Sequence, residues 1–436
     1  MKNVFIYTFG CQMNVHDSEK MLGTLAGAGY VSTENPEDAD LIIFNTCAIR
    51  EKAEQKFYSQ LGRTKALKRK NKNLKIAVAG CVAQDAQQKI FRRAPFVDYI
   101  FGPQNVSRIN EFLSKEREIA TGDNPDIATE ELSASRQSRF RAWVSIMYGC
   151  NNFCSYCIVP YTRGREISRP VSSILSEMRD LVSKGYKEVT LLGQNVNSYR
   201  SDGGFVDLLR AIDALGMNRV RFVTSHPRDF SADLIRAISK LPSICEHIHL
   251  PVQSGSDPVL KAMNRGYHYE EYLEKISLLR DSIPGIAITT DIIVGFPGET
   301  DNDFNSTIRA LKEIEFDGVF AFKYSRRKGT RASEMPGQIP DTLKSERLTE
   351  VLLVQEEITC RINKKYEKSV QEVLIEGTSD SDGQMLTGRT RTNKIVTIPD
   401  SGEKPGILIP VRILTARPHS LTGINATAGS SQITES

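Results

Sequence analysis

The sequence predicts an α/β protein in three parts: an N-terminal doubly wound parallel sheet, a central open (β/α)6 barrel, and a small C-terminal β-barrel of OB-like character. Three observations predict it. Short apolar runs alternate with helix-like stretches through residues 4–94, and such alternation implies a parallel sheet. The alternation resumes beyond residue 139 with six strand candidates, which suits an incomplete (β/α) barrel. The last segment switches to short strands broken by Gly, Pro and Asn turns, the pattern of a small closed β structure. The expected domains are residues 1–115, a linker at 116–138, 139–368 and 369–427, with a disordered tail at 428–436.

Each element has a sequence reason. VFIYTFG leads to Cys11, LIIFNT to Cys47 and KIAVAG to Cys81. Each run is short and continuously apolar, as strands buried on both faces are. Each cysteine precedes a helix-like stretch: HDSEKMLGTLAGAG, IREKAEQKFYSQLG or VAQDAQQKIFRRA. Ligands of open parallel sheets bind outside the carboxyl ends of the strands, and all three cysteines sit there. The low apolar content near Gly122, Asn124 and Pro125 marks the linker. The barrel strands are AWVSIM, EVTLLG, RVRFVT, HIHLPV, AITTDIIVGF and DGVFAFKY, separated by amphipathic stretches such as SILSEMRDLVSKG. A long helix is expected over 344–368, and LIEG, MLTGRTRTNKIVTIP, GILIPVRILTA and SLTGI supply the last barrel.

Composition narrows the function classes. A net charge of +4 permits an acidic partner without requiring one. Basic residues gather in three sets: Arg63, Lys65, Lys68, Arg69, Lys70, Lys72 and Lys75; then Arg163, Arg165 and Arg169; then Arg326, Arg327, Lys328 and Arg331. Singly each reads as solvated surface, but their repetition near cysteine motifs favours a phosphate-rich substrate. No apolar stretch is long enough to span a bilayer. The run MKNVFIYTFGCQMN lacks a secretory hydrophobic region, so a cytoplasmic protein with no membrane partner is expected. Cytosolic thiols stay reduced, so clusters among the eight cysteines point to metal or redox chemistry.

The strongest motif is GCNNFCSYCIVPYTRGRE, with Cys150, Cys154 and Cys157 in CxxxCxxC spacing. Three thiolates can hold three corners of a 4Fe–4S cluster. The fourth iron then stays open to chelation by the amino and carboxylate groups of S-adenosylmethionine. Electron transfer into the sulfonium yields a 5′-deoxyadenosyl radical, chemistry that the cofactor carries and the protein positions. A structural zinc site would want a fourth Cys or His nearby, and the next is His226. Cys11, Cys47 and Cys81 repeat the logic: three ligands without an evident fourth suggest a second cluster whose open iron could carry a sulfur species. Cys245 and Cys360 stand alone and read as structural. Small and amide-bearing residues at later strand ends are candidate S-adenosylmethionine contacts: Gly193, Gln194 and Asn195; Gln253, Ser254 and Gly255; Gly295, Pro297 and Gly298. His226, His247, His249 and His268 form no metal-binding spacing with the cysteines and read as strand or loop residues. No catalytic residue is assigned beyond the cluster ligands.

The motifs TFGCQMNVHDSEKM, NTCAIREKA, AGCVAQ, GCNNFCSYCIVPYTRGRE, LLGQNVNSY, QSGSD, VGFPGET and FKYSRRKGT occur in this order across nearly the whole chain. In order and context they resemble the MiaB-type tRNA methylthiotransferases. The resemblance implies a methylthiotransferase domain, a radical S-adenosylmethionine domain and a TRAM domain. It implies an auxiliary 4Fe–4S cluster on Cys11, Cys47 and Cys81 and a radical-generating one on Cys150, Cys154 and Cys157. It further implies methylthiolation at carbon 2 of N6-dimethylallyladenosine beside the anticodon. The expected partners are a tRNA anticodon stem-loop and an electron-donor protein, with the enzyme acting as a monomer. Arg327 and Lys328 depart from the family's less basic PRPGT-like form, and Arg389, Arg391, Lys394 and Arg412 of the TRAM-like segment are offset by acids. The alternatives are threonylcarbamoyl-adenosine tRNA as substrate, a ribosomal protein as substrate (RimO type, whose motifs read more like GCPKN and CNHRCTFC), or a non-catalytic metal-stabilised RNA-binding protein.

Overall fold

The computed structural model describes residues 1–48, 51–130, 132–380 and 382–427. The expected disordered tail at 428–436 lies outside the described residues. The first sheet has six strands: β1 (Lys2–Thr8), β2 (Tyr30–Ser32), β3 (Leu41–Thr46), β4 (Lys75–Gly80), β5 (Tyr99–Phe101) and β6 (Glu118–Ala120). Every pairing is parallel, in the order β2-β1-β3-β4-β5-β6. All of β3 is buried, which explains its unbroken apolar run. The order reverses direction between β1 and β3, so a crevice opens at their carboxyl ends. β6 comes from the segment read as a linker; its polar flanks suit the sheet edge that it occupies. The helices are α1 (Gln12–Gly27), α2 (Glu51–Lys70), α3 (Cys81–Ala86), α4 (Gln88–Arg93) and α5 (Ile109–Leu113). The single helix expected after Cys81 breaks at Gln87, where φ is 42°.

Helix α1 departs from the usual amphipathic pattern. Asn14, His16, Asp17, Ser18, Glu19 and Lys20 are all buried. Residues 133–137 lie across it, and a Cβ on Gly23 would stand 1.9 Å from the Ser133 carbonyl oxygen. The Ser135 N–H donates to the Glu19 carbonyl at 2.9 Å, and the Gln137 N–H donates to Glu19 Oε1 at 3.2 Å. Arg136 and Arg169 both pair with Glu177, and Lys20 Nζ donates to Tyr148 Oη at 2.7 Å. The polar face of α1 is therefore an interface with the central domain.

The central strands are β7 (Arg141–Ser145), β8 (Glu188–Leu192), β9 (Arg219–Phe222), β10 (His247–His249), β11 (Ala287–Val294) and β12 (Gly318–Lys323). Parallel ladders join β7-β8-β9 and β10-β11-β12, and a bridge from Val220 to Ile244 links the two halves. The barrel is open between β7 and β12. Alternate residues such as Val144, Leu191, Val220, Ile288 and Ile292 pack in one core under the outer helices.

A helix at Asp341–Lys364 leads to a closed five-strand barrel: β13 (Val370–Ser379), β14 (Asp382–Thr390), β15 (Ile395–Pro399), β16 (Leu408–Ala416) and β17 (Leu421–Asn425). This barrel docks on the amino-terminal end of the central one. Arg219, which opens β9, is fully buried; its Nη2 meets Glu372 Oε1 at 2.8 Å and its Nη1 donates to the Arg389 carbonyl at 2.9 Å. Arg221 pairs with Glu188 at 2.9 Å and donates to the Thr390 and Arg391 carbonyls. In return Arg391 pairs with Glu246 and Lys394 with Asp317, both at 2.8 Å. Arg389 pairs with Glu376 at 3.3 Å. Arg389, Arg391 and Lys394 are thus each engaged by an acid within the protein.

Removing one partner from a buried charge pair leaves an uncompensated charge and costs about 3–5 kcal/mol. Arg221→Ala, which strips the buried Glu188 of its partner at 2.9 Å, should lower stability by that amount, read from the urea midpoint of the full chain. A loss under about 1 kcal/mol would mean that the docking arginine behaves as a surface ion pair.

Candidate functional site

The central cysteines occupy a closed lobe. Met147–Tyr148 pairs antiparallel with Ile167–Ser168, so residues 149–166 leave the barrel and return beside it. A Cβ on Gly149 (φ 68°) would stand 1.9 Å from the Arg165 carbonyl oxygen, so the crossing requires glycine. The Cys150 N–H donates to the Gly164 carbonyl at 3.2 Å and the Cys157 N–H to the Cys154 carbonyl at 2.9 Å. Ser155 is pinned on both sides: its N–H donates to the Met263 carbonyl, and its own carbonyl accepts from the Ala332 N–H at 2.8 Å. Burial, then the neighbouring Cys154, pushes the Cys157 thiol up to about 12. Burial likewise pushes Cys150 up to about 11. Such thiols are neutral by themselves, and a bound cation reverses that by deprotonating its thiol ligands. Three soft donors in a buried lobe fit an iron–sulfur cluster.

A buried arginine serves this lobe. Arg265 donates through Nη1 to Cys154 Sγ and to Tyr156 Oη, both at 3.4 Å, and through Nη2 to the Pro251 carbonyl at 2.8 Å. Arg228 Nη2 donates to Asn152 Oδ1 at 2.5 Å, tying the loop to the end of β9.

The barrel mouth holds buried polar atoms without a protein partner: Ser145 Oγ, Asn195 Oδ1, Ser225 Oγ, His226 Nε2 and Gln253 Oε1. These lie at or just past the ends of β7, β8, β9 and β10. Asn195 Nδ2 donates to Asp229 Oδ2 at 2.7 Å, which fixes the amide so that Oδ1 is the free acceptor. His226 Nδ1 accepts from the Arg228 N–H at 3.3 Å, which leaves Nε2 as a donor. Burial, then Arg265 and Arg228, pulls the His226 imidazole down to about 2, so the ring is neutral. Orphaned donors and acceptors at one mouth fit a ligand rich in hydroxyl, amino and carboxylate groups, as S-adenosylmethionine is.

The other expected contacts divide. Gly193 lies against Met147, where a Cβ would stand 2.5 Å from Cγ. Gln194 is half-buried beside it. Ser254 and Gly255 are taken up in packing: Ser254 Oγ and the Gly255 N–H both meet Thr307 Oγ1, at 3.2 and 3.0 Å. Gly295 (φ 69°) presses on Lys344, and its N–H donates to Glu299 Oε1 at 2.9 Å. Beyond Pro297, the Gly298 N–H donates to the Gly337 carbonyl at 2.9 Å. Glu299 is locked in turn by Arg347 at 2.7 Å. His226 and Arg265 were not singled out as site residues by the sequence; the SHP turn directly after an apolar strand was the available signal for the first.

The N-terminal cysteines are drawn together by glycines. A Cβ on Gly10 (φ 116°) would stand 2.5 Å from Cys47 Cβ, and one on Gly80 (φ 88°) 2.4 Å from the Thr46 carbonyl oxygen. Cys11, Cys47 and Cys81 therefore share the carboxyl edge of β1, β3 and β4, the latter two cysteines buried. The Cys11 thiol donates to Asn14 Oδ1 at 3.4 Å. Among the described residues no three His, Cys, Asp or Glu side chains close on a single metal ion.

Aromatic side chains line the barrel opening. Val319 and Ala321 pack on the core, so Phe320 and Phe322 of β12 face the interior, and both are exposed. The Phe320 ring meets His249 edge-on at 5.7 Å, and His249 Nε2 lies 3.5 Å from Asp291 Oδ1. Basic residues expected on the surface part company: Arg163 and Arg169 are buried in ion pairs, whereas Arg165, Arg326, Lys328 and Arg331 are exposed.

Residues 3–102 match the uncharacterized protein family UPF0004, residues 144–311 the radical SAM superfamily and residues 364–424 the TRAM domain. The tRNA-2-methylthio-N(6)-dimethylallyladenosine synthase of Thermodesulfovibrio yellowstonii is 54% identical over 425 residues, covering 96% of this chain and 98% of that one. Its namesake from Caldicellulosiruptor saccharolyticus is 49% identical over 434 residues, covering 97% and 92%. Among solved structures, the radical S-adenosylmethionine methyltransferase TsrM of Kitasatospora setae, with cobalamin and a 4Fe–4S cluster bound, shares the fold at a TM-score of 0.57 and 14% identity over 76% of this chain and 77% of that one. The chain belongs to the tRNA-2-methylthio-N(6)-dimethylallyladenosine synthase family, with a radical SAM domain at its centre.

Proposed function

We propose that this chain adds a methylthio group to carbon 2 of N6-dimethylallyladenosine in tRNA, next to the anticodon. The observation that carries the reading is the neighbourhood of two cysteine triplets: the sheet edge of Cys11, Cys47 and Cys81 adjoins the lobe of Cys150, Cys154 and Cys157. Cys150, Cys154 and Cys157 would hold the radical cluster, and Cys11, Cys47 and Cys81 a second 4Fe–4S cluster. When bound, the first cluster with S-adenosylmethionine supplies a carbon-centred radical, and the second supplies sulfur. Asn195, Ser225, His226 and Gln253 orient the cofactor through their unpartnered polar atoms. Arg265 holds Cys154, and the buried lobe keeps water away.

The substrate base must leave its stack to enter, and loop bases do so at the lowest cost. Phe320 gives that base and its apolar dimethylallyl group a surface to stack on. Exposed Arg165, Arg326, Lys328 and Arg331 contact phosphates around the opening. An electron-donor protein reduces the clusters, and the enzyme works as a monomer in the cytoplasm.

Two variants separate the roles. Cys154→Ala should abolish both 5′-deoxyadenosine formation and methylthiolation. Cys47→Ala should retain 5′-deoxyadenosine formation and lose the methylthiolated nucleoside, both read by mass spectrometry. Methylthiolated product from the Cys47→Ala chain over several turnovers would remove the sulfur-donating role from the N-terminal triplet.

Offered in parallel, a dimethylallylated anticodon stem-loop should be turned over faster than an unmodified one, a threonylcarbamoylated one or ribosomal protein. Phe320→Ala should cost about 1–3 kcal/mol of binding to the dimethylallylated stem-loop, read as a raised KM. Preference for another substrate would leave the clusters standing and overturn the substrate assignment.

A further inference from the structure

One side chain joins the two cysteine triplets. Helix α6 (Val159–Thr162) ends the cluster lobe, and Arg163 follows it. Its guanidinium reaches into the N-terminal domain, where Nη2 donates to Asp17 Oδ2 at 2.9 Å and to Asn14 Oδ1 at 3.3 Å. Asn14 Oδ1 is also the acceptor of the Cys11 thiol at 3.4 Å. On the other side, the carbonyl of the next residue, Gly164, accepts from the Cys150 N–H at 3.2 Å. The Arg163 carbonyl accepts from Gln104 Nε2 at 2.9 Å, and a Cβ on Gly164 would stand 2.2 Å from that same atom. A short polar path therefore runs from Cys150 to Cys11 through Arg163.

The Arg163 and Asp17 side chains are only 5% and 6% exposed. A buried ion pair is weak support for stability, since apolar residues of similar shape serve as well. Its place beside a cysteine triplet suggests an electrostatic task. Burial opposes the charge on Arg163, but Asp17, then Cys81 and Cys11, more than restore it. A fixed positive charge near a cluster favours the reduced, more negative form, and burial strengthens the effect.

We propose that Arg163 is a positioning residue that holds the N-terminal cluster site against the radical lobe and, with Asp17 as the opposing charge, sets the reduction potential of the N-terminal cluster. This rests on the two-cluster reading above. Two opposite charges at one site predict opposite signs on removal, which a purely structural contact does not.

The test is redox potentiometry followed by electron paramagnetic resonance on the full chain with both clusters, the Cys47→Ala chain identifying the N-terminal signal. Arg163→Gln should lower the potential of that cluster, Asp17→Asn should raise it, and Arg163→Lys should stay close to the unaltered chain. Each shift should be tenfold or more in the reduction equilibrium, about 59 mV for one electron. With about eight irons per chain retained, no shift, or shifts of the same sign, would overturn the proposal. If Arg163→Gln fails to hold its cluster, Asp17→Asn decides, and a potential at or below that of the unaltered chain overturns the proposal. An unaltered chain that binds only about four irons would instead overturn the two-cluster reading on which it stands.

Discussion

Asp17 and Arg163 meet at 2.9 Å with almost no water around them, and the relation between the two cysteine triplets depends on that contact. Asp17 belongs to the helix that follows Cys11; Arg163 closes the lobe that carries Cys150, Cys154 and Cys157. The same helix gives Glu19 and Lys20 to a wider buried seam with Gln137, Tyr148 and Arg136. Buried polar contacts are costly when incomplete, so they specify one arrangement of the two domains rather than several. The proposed reaction, with two clusters beside one base, would require that kind of specification.

The other end of the barrel is closed by a different set of charges. Arg219 and Arg221 meet the C-terminal barrel at the starts of the strands, and Arg391 and Lys394 answer from its side. With the amino-terminal end plugged, approach to the interior is left to the carboxyl mouth and to the opening between β7 and β12. The exposed Phe320 and Phe322 line that opening. The basic residues near the cysteine motifs are of two kinds. Those inside dock domains, and those at Arg326, Lys328 and Arg331 remain on the surface.

The strand ends and cysteines were legible because period and position carry them: a continuous apolar run ending in Gly or Thr before Cys marks a buried parallel strand and its crevice. The barrel strands were legible for the same reason. Less legible was anything set by contact between distant segments. Arg163 and Arg169 look like surface charge in sequence, yet Asp17 and Glu177 bury them. Ser254 and Gly255 look like open ligand contacts, yet Thr307 occupies them. The segment near residue 120 reads as a linker by polarity, yet an edge strand needs few apolar residues. Asn14 to Lys20 held a signal in their polar run immediately after Cys11, on a helix with little apolar periodicity, which marks a helix packed through polar contacts.

On the two-cluster proposal, an iron–sulfur cluster lies on either side of Arg163, one on each cysteine triplet. Iron-edge anomalous scattering from crystals of the anaerobically reconstituted protein tests it most directly. Two separate iron peaks should appear, one beside Cys11, Cys47 and Cys81 and one beside Cys150, Cys154 and Cys157. A single iron peak, or a zinc signal at either triplet, would contradict it.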